Sequence, residues 1–315
     1  MRVLPVNEGD VREGGSWSAM QRTKNTAIWL LASAALAAAR PLPPSVLRAI
    51  GRGLGLAAHR LAGRARRTAL DNVSLALPHL DDRERRDLVE RCFATLGTLL
   101  GETVAMMRPG AIDPLPFAPG ALATFDGARA AGRGVLFVSA HLGPWERVAA
   151  SLVAAGIPLV AIARESYDPR LSRIYERLRG RHGVDVIWRS RPGASARILR
   201  ALRGGRVLGV PMDLRSRVSS CDAPFLGHPA PTPVGPARIA LRTRSPVLVG
   251  TVAPDALGAL QVTVSRIETS DVPADAHGAI ELTRRINLEL SSRILALPHA
   301  WVWMHDRWPS LARHG

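Results

Sequence analysis

At 315 residues the chain is long enough for one large α/β domain with a small appendage, because single hydrophobic cores stop growing near roughly 250–300 residues. Hydrophobic residues make up 47% and charged residues 22%, a balance that excludes a disordered or fibrous chain. The formal net charge of +16 rests on arginine, with Lys24 the only lysine, and it favours acidic partners such as anionic lipid, phosphorylated substrates or an acidic carrier protein. Nucleic acid is not expected, because the arginines are scattered and aromatics are only 4%. Cys92 and Cys221 sit in neither a CxxC nor a metal-type spacing, so the pattern predicts small buried hydrophobes in a reducing compartment, without a disulfide, zinc site or thiol nucleophile.

Residues 1–23 are polar and lack apolar periodicity, which reads as a disordered leader, with Met20 a candidate start. Arg22 and Lys24 then precede an apolar run over residues 26–39, ended by Arg40 and Pro41. Fourteen residues are short against the about 20 of a transmembrane span, so the run suits a signal-peptide core, an interfacial anchor or part of a tilted span. The next segment favours an uncleaved anchor. Leu47, Ile50, Leu54, Leu56 and Leu61 continue an apolar face among Arg48, Arg52, Arg60, Arg64, Arg66 and Arg67, the pattern of a basic amphipathic helix on anionic lipid. Positive flanks keep the adjoining domain cytoplasmic. The alternative is a helix buried on its own domain. The expected division is a leader over 1–23, a membrane anchor and amphipathic helix over 24–70, and a catalytic domain over 71–315.

Asp81 and Glu84 form a capping-box pattern, and Leu88, Cys92, Leu96, Leu99, Leu100 and Thr103 recur at helical spacing after it. From Gly134 the pattern changes. Val135–Ser139, Leu159–Ile162, Val184–Trp188, Val207–Val210 and Val247–Val252 read as strands, separated by helices near 144–155, 168–181, 193–203 and 234–243. A last strand near Gln261–Ile267 and a helix near 277–296 close the domain. This alternation predicts an α/β fold with a mostly parallel central sheet flanked by helices. Ligand sites then belong at the carboxyl ends of strands.

His141 stands at such an end. Gly143 and Pro144 can open the next helix, which puts Glu146 in its first turn, within reach of the imidazole. A carboxylate on one ring nitrogen fixes the tautomer and raises the basicity of the other, making His141 a candidate general base for a hydroxyl. The bland reading is a hydrogen-bonded histidine and a glutamate complementing a helix dipole. On its own, H-x4-E does not decide between them.

The surrounding blocks do more. Asp71-Asn-Val-Ser-Leu-Ala-Leu-Pro78, AHLGPWE at 140–146, Arg164, RGGRVLGVPMD at 203–213, APFLGHPAPTPVGPARIALRT at 223–243 and PHAWVWMHDRW at 298–308 together resemble the lipid A late acyltransferases, of lauroyl and myristoyl type, within the lysophospholipid acyltransferase superfamily. The resemblance runs from about residue 26 to 309. It implies a membrane-bound enzyme at the cytoplasmic face of the inner membrane, moving an acyl chain from acyl carrier protein to a disaccharide lipid precursor, without metal or organic cofactor. It also implies that His141 is the base, Glu146 its orienting carboxylate, Arg164 a substrate or oxyanion contact, and Asp213 a second anchor near the acceptor. Gly143 belongs to a backbone stretch, 142–144, that holds the oxyanion. Gly227, Thr232, Gly235 and Pro236 shape a substrate loop. Trp301, Trp303, His305, Arg307 and Trp308 match a family signature and read first as structural, with alternating aromatics suiting a buried edge strand. The alternative for His305 and Arg307 is contact with headgroup phosphates.

The chain departs from the common pattern at Gly143-Pro144-Trp145-Glu146 and at Met212-Asp213-Leu214-Arg215-Ser216. Relatives with this scaffold acylate phosphatidylinositol mannosides or other lipids, some from acyl-CoA, so a different glycolipid acceptor and a CoA donor are the alternatives. A thioester hydrolase lacks support, as no G-x-S-x-G elbow is present. A catalytically inactive membrane-binding scaffold is the remaining competitor.

Overall fold

The computed structural model describes residues 18–108, 110–166 and 168–308. The leader expected over 1–23 therefore lies outside the described residues as far as residue 17. From Ser18 onward the chain is helical, because Ser18 and Gln21 form a capping box that starts α1 (Ala19–Ala39). Ile28, Leu30 and Leu31 of the apolar run are exposed on it. Among the described residues no helix is long and apolar enough to cross a membrane.

Three more helices come next: α2 (Pro44–Leu61), α3 (Gly63–Ala76) and α4 (Asp82–Ala105). The capping box of Asp81 and Glu84 opens α4 as its sequence implies. The boundary drawn at 70/71 falls inside α3, whose Asn72 and Val73 are buried. The amphipathic pattern of α2 resolves differently from its leucine count. Leu47, Gly51 and Gly55 form the buried face, while Ile50, Leu54 and Leu61 stay exposed. The reason is a backbone-to-backbone crossing. A Cβ at Gly97 of α4 would stand 2.2 Å from the Gly51 carbonyl oxygen and 2.9 Å from the Gly55 Cα. Neither atom can move without shifting a helix, so Gly97→Ala is expected to cost about 1–3 kcal/mol. Gly53 of α2 meets no atom within 4 Å of such a Cβ, and Gly53→Ala should instead stabilise by about 0.5–1 kcal/mol by removing backbone freedom. Denaturant midpoints of the two variants check this pair.

Beyond α5 (Ala121–Arg129), the chain alternates β1 (Val135–Ser139), α6 (Trp145–Ala154), β2 (Leu159–Ala163), α7 (Pro169–Arg181), β3 (Asp185–Trp188), α8 (Ala194–Arg203) and β4 (Val207–Pro211). After the hairpin β5 (Ser220–Phe225) and β6 (His228–Pro233) come α9 (Gly235–Thr243), β7 (Val247–Pro254), β8 (Leu260–Ile267) and α10 (Ala276–Ala296). Six strands form one sheet in the order β3-β2-β4-β1-β7-β8, parallel except for β8, which runs antiparallel to β7. The expected α/β class with a mostly parallel, helix-flanked sheet is what the chain adopts. The continuous apolar runs of β1, β4 and β7 are buried almost throughout, as a sheet covered on both faces requires.

Two features differ from the sequence pattern. The segment around Gly227 and Thr232, expected as a turn-rich loop, is the hairpin β5–β6. Leu226 and Gly227 both have positive φ, 48° and 84°, as a two-residue hairpin turn of the I′ kind demands. Pro224, Pro229, Pro231 and Pro233 are tolerated because this ribbon has only two strands. The carboxyl-terminal aromatics form no edge strand either. A 3₁₀ turn, Pro298–Ala300, leads into a strap over 301–308 that turns at 303–305 and is joined to the sheet side by one bridge between Leu142 and Trp301. Trp301, Trp303 and Trp308 are buried in it, with Trp301 stacked edge-on against Trp303 at 4.8 Å.

Candidate active site

β1 and β4 are neighbours in register, Ser139 opposite Pro211, and the Met212 amide donates to the Ser139 carbonyl at 3.1 Å. Two residues past each strand end therefore come together: His141 and Asp213. The His141 amide donates to Asp213 Oδ2 at 2.8 Å, and ring Nδ1 lies 3.0 Å from Oδ1. Trp301 adds its indole N–H to Oδ2 at 2.8 Å. An acceptor-only carboxylate at Nδ1 assigns the ring proton there and leaves Nε2 as the lone-pair nitrogen.

Asp213 is fully buried, while the His141 side chain keeps 28% of its surface exposed. Burial acts to lower the imidazole pKa, but the charge and hydrogen bond of Asp213, with help from Glu146 and against Arg179, leave it raised above 6.5. Burial likewise acts to raise the Asp213 pKa, and the charge and hydrogen bonds of His141, with the indole of Trp301, bring it below the ordinary value. The pair is built to hold an anion beside an imidazole that can accept a proton at Nε2.

Glu146 is not the carboxylate on the ring. Its two oxygens receive Arg179 Nη2 at 2.6 Å and Nε at 2.9 Å, a bidentate pair between the first turn of α6 and the last turn of α7. That fork satisfies the carboxylate where it is buried, and its charge reaches His141 only through space.

Asp213, expected as an acceptor-side anchor, spends both oxygens inside the protein. Gly143 has φ +63°, its amide donates to the Ala300 carbonyl at 3.0 Å, and its Cα side packs on Val252, so it shapes the turn after β1. Thr232 is fully buried in β6, its hydroxyl receiving Asn287 Nδ2 at 2.9 Å and Arg307 Nη2 at 2.8 Å. Gly235 begins α9 with open space at its Cβ position. Arg164 comes just after β2 and is exposed at the edge that carries His141. Arg307, a headgroup alternative in the sequence, is fully buried, its guanidinium 4.5 Å over the Phe225 ring and its pKa lowered by burial to about 10.

Trp301 and Asn72 complete the site from distant parts of the chain. Asn72 Nδ2 donates to the carbonyls of Trp303 at 2.8 Å and His305 at 2.7 Å, and Cys92 Sγ donates to the Trp301 carbonyl at 2.9 Å. Burial pushes the Cys92 thiol up to about 12, which fits a packing residue. Among the described residues no group of three or more His, Cys, Asp or Glu could hold a metal ion. A cavity of about 860 Å³ lies between α2, α4 and the end of α10, lined by Arg52, Leu56, Leu88, Arg91 and Leu295 among others; neither His141 nor Asp213 lines it.

A protein of Shigella flexneri named lipid A biosynthesis acyltransferase 2 is 30% identical over 147 residues, which is 45% of this chain and 45% of that protein. The match thus spans less than half the length of that relative. The family described as bacterial lipid A biosynthesis acyltransferase matches residues 16–310, a stretch containing α1 to α10, the His141–Asp213 pair and the strap that holds it. The chain belongs to the bacterial lipid A biosynthesis acyltransferase family.

Proposed function

We propose that the protein works at a membrane surface, moving a fatty acyl chain from a carrier-protein thioester to a hydroxyl of a lipid A precursor. The observation that carries the chemistry is the His141–Asp213 pair: a buried carboxylate holds Nδ1–H, so Nε2 can take the proton of an attacking hydroxyl. The alkoxide oxygen bonds to the thioester carbonyl carbon, the resulting oxyanion collapses, and the departing thiolate receives the proton from Nε2. Ester and free thiol are the products. No nucleophilic serine or thiol is required, and Cys92 is engaged with the strap.

Membrane and carrier readings rest on the surface. Ile28, Leu30 and Leu31 of α1, Ile50, Leu54 and Leu61 of α2, and Leu100 of α4 are exposed on a chain of net charge +16. That combination suits interfacial binding to anionic lipid and to an acidic carrier. Ile50→Asp with Leu54→Asp is expected to weaken sedimentation with anionic vesicles by at least about 10-fold, each buried side chain contributing about 1.5–3 kcal/mol, while leaving the α2–α4 contact intact. Unchanged sedimentation would remove this face from the interface.

The function is tested with detergent-solubilised protein, a labelled acyl group on acyl carrier protein or on CoA, and a tetra-acylated phosphorylated disaccharide lipid. Labelled ester from the carrier-protein donor is expected. Ester from CoA alone, or with a phosphatidylinositol mannoside alone, would replace the donor or acceptor, and free fatty acid without ester would replace transfer by hydrolysis.

A further inference from the structure

An oxyanion forms in this reaction, and the loop beside the base has little to offer it. In residues 141–144 the His141 amide is donated to Asp213 and the Gly143 amide to Ala300, while Pro144 has no N–H. Only the Leu142 amide is left among them. The strap supplies another N–H donor, on His305, whose ring meets the chain at the Arg215 amide, two residues past Asp213.

His305 is half-buried, and its backbone is pinned twice: its amide donates to the Val302 carbonyl at 3.1 Å and its carbonyl receives Asn72 Nδ2 at 2.7 Å. Its ring is pinned too, because the Arg215 amide donates to Nε2 at 3.0 Å. A ring nitrogen that accepts from an amide carries no proton, so the imidazole is neutral with its hydrogen on Nδ1. Burial lowers its pKa, the charge of Asp213 opposes that, Arg307 lowers it further, Asp306 opposes and His141 lowers it; the net shift is down. The ring therefore stays neutral while feeling the fields of Asp213 and His141. Nδ1–H has no protein partner among the described residues, and it is not a sealed orphan either. The ring is thus an oriented neutral N–H donor on the strap whose Trp301 grips the catalytic carboxylate.

We infer that His305 is a further catalytic residue, its Nδ1–H receiving the thioester carbonyl oxygen as it becomes the oxyanion, while His141 takes the hydroxyl proton. A neutral imidazole gives a directed donor without consuming a proton, and the bond strengthens as the oxygen gains charge. Asn72 is its positioning residue, acting through the His305 carbonyl. The inference rests on the acyl-transfer reading above.

Three variants and one spectrum test it. His305→Ala is expected to lower kcat about 10²–10³-fold, the usual effect of deleting one oxyanion donor, with KM little changed and the acidic limb of the pH profile, set by His141, in place. His305→Asn returns an N–H near the Nδ1 position and should recover much of the loss. His305→Gln can satisfy the Arg215 amide at the Nε2 position without that donor, and should not. Nitrogen-15 histidine spectra should show His305 as the neutral Nδ1–H tautomer at neutral pH, its protonation falling below the range of an ordinary histidine. Recovery by Gln but not Asn, unchanged kcat in His305→Ala, or a charged or Nε2–H ring would each overturn the inference while His141→Ala still abolishes transfer. Transfer that survives His141→Ala would overturn the reading beneath it.

Discussion

Asp213→Asn is expected to lower kcat for acyl transfer by about 10²–10⁴-fold, the range seen where a buried carboxylate fixes the tautomer of a catalytic imidazole. The asparagine oxygen can still accept from the His141 amide and the Trp301 indole, which leaves its NH₂ facing the ring. Nδ1 must then accept, the proton moves to Nε2, and the nitrogen facing the hydroxyl has no lone pair to take a proton. The pH profile shifts as well. In the wild type Asp213 is what raises the His141 pKa above 6.5 against the lowering effect of burial, and a general base acts only when neutral. Activity should rise through a limb above that value in the wild type, and the residual activity of Asp213→Asn should rise at lower pH. Lost hydrogen bonds to a buried group also cost about 1–3 kcal/mol of stability, which a denaturant midpoint separates from the kinetic loss. A variant with wild-type kcat and an unmoved limb would remove Asp213 from the machinery.

The second large effect falls on stability. Arg179→Met leaves the Glu146 carboxylate, 7% exposed as a side chain, without its bidentate partner, at an expected cost of about 3–5 kcal/mol. Removing both charges, Arg179→Met with Glu146→Leu, should recover most of that cost, because a buried pair is worth little more than apolar groups of its own volume. The double variant also separates two roles for Glu146. If the glutamate acts only through its pair and its distant charge, the folded double variant keeps the mechanism and its acidic limb moves modestly. A kcat collapse matching that of Asp213→Asn, in a protein with restored stability, would return Glu146 to the imidazole.

The chain's strands were legible because each is a short apolar run bounded by turn residues: β1, at Val135–Ser139, coincides with its pattern, and β2, β3, β4, β7 and β8 agree within a residue or two at most ends. The capping box of α4 was equally plain. Adjacency could not be read. His141 sees Asp213, 72 positions away, because β4 inserts between β1 and β2 in the sheet, and strand order leaves no mark on local sequence. Glu146, five residues from the histidine, looked like the partner for the same reason: only local spacing was visible. The β5–β6 hairpin was hidden by prolines that argue against a strand anywhere but in an isolated ribbon. In α2 the leucine pattern read as a face for anionic lipid, and Ile50, Leu54 and Leu61 are exposed; the contact with α4 is made by Gly51 and Gly55, which leave no apolar signal in the sequence. Trp301 and His305 read as packing residues because their polar atoms meet Asp213 and the Arg215 amide only after the strap has folded back over the sheet.

One measurement bears on the central claim most directly: single-turnover transfer of a labelled acyl group from its thioester to the hydroxyl of the lipid acceptor, wild type against His141→Ala, with matched denaturant midpoints. Labelled ester from the wild type and a loss of at least about 10³-fold in His141→Ala is the result expected of a general base acting at Nε2. Ester formed at the wild-type rate by a folded His141→Ala protein would contradict it.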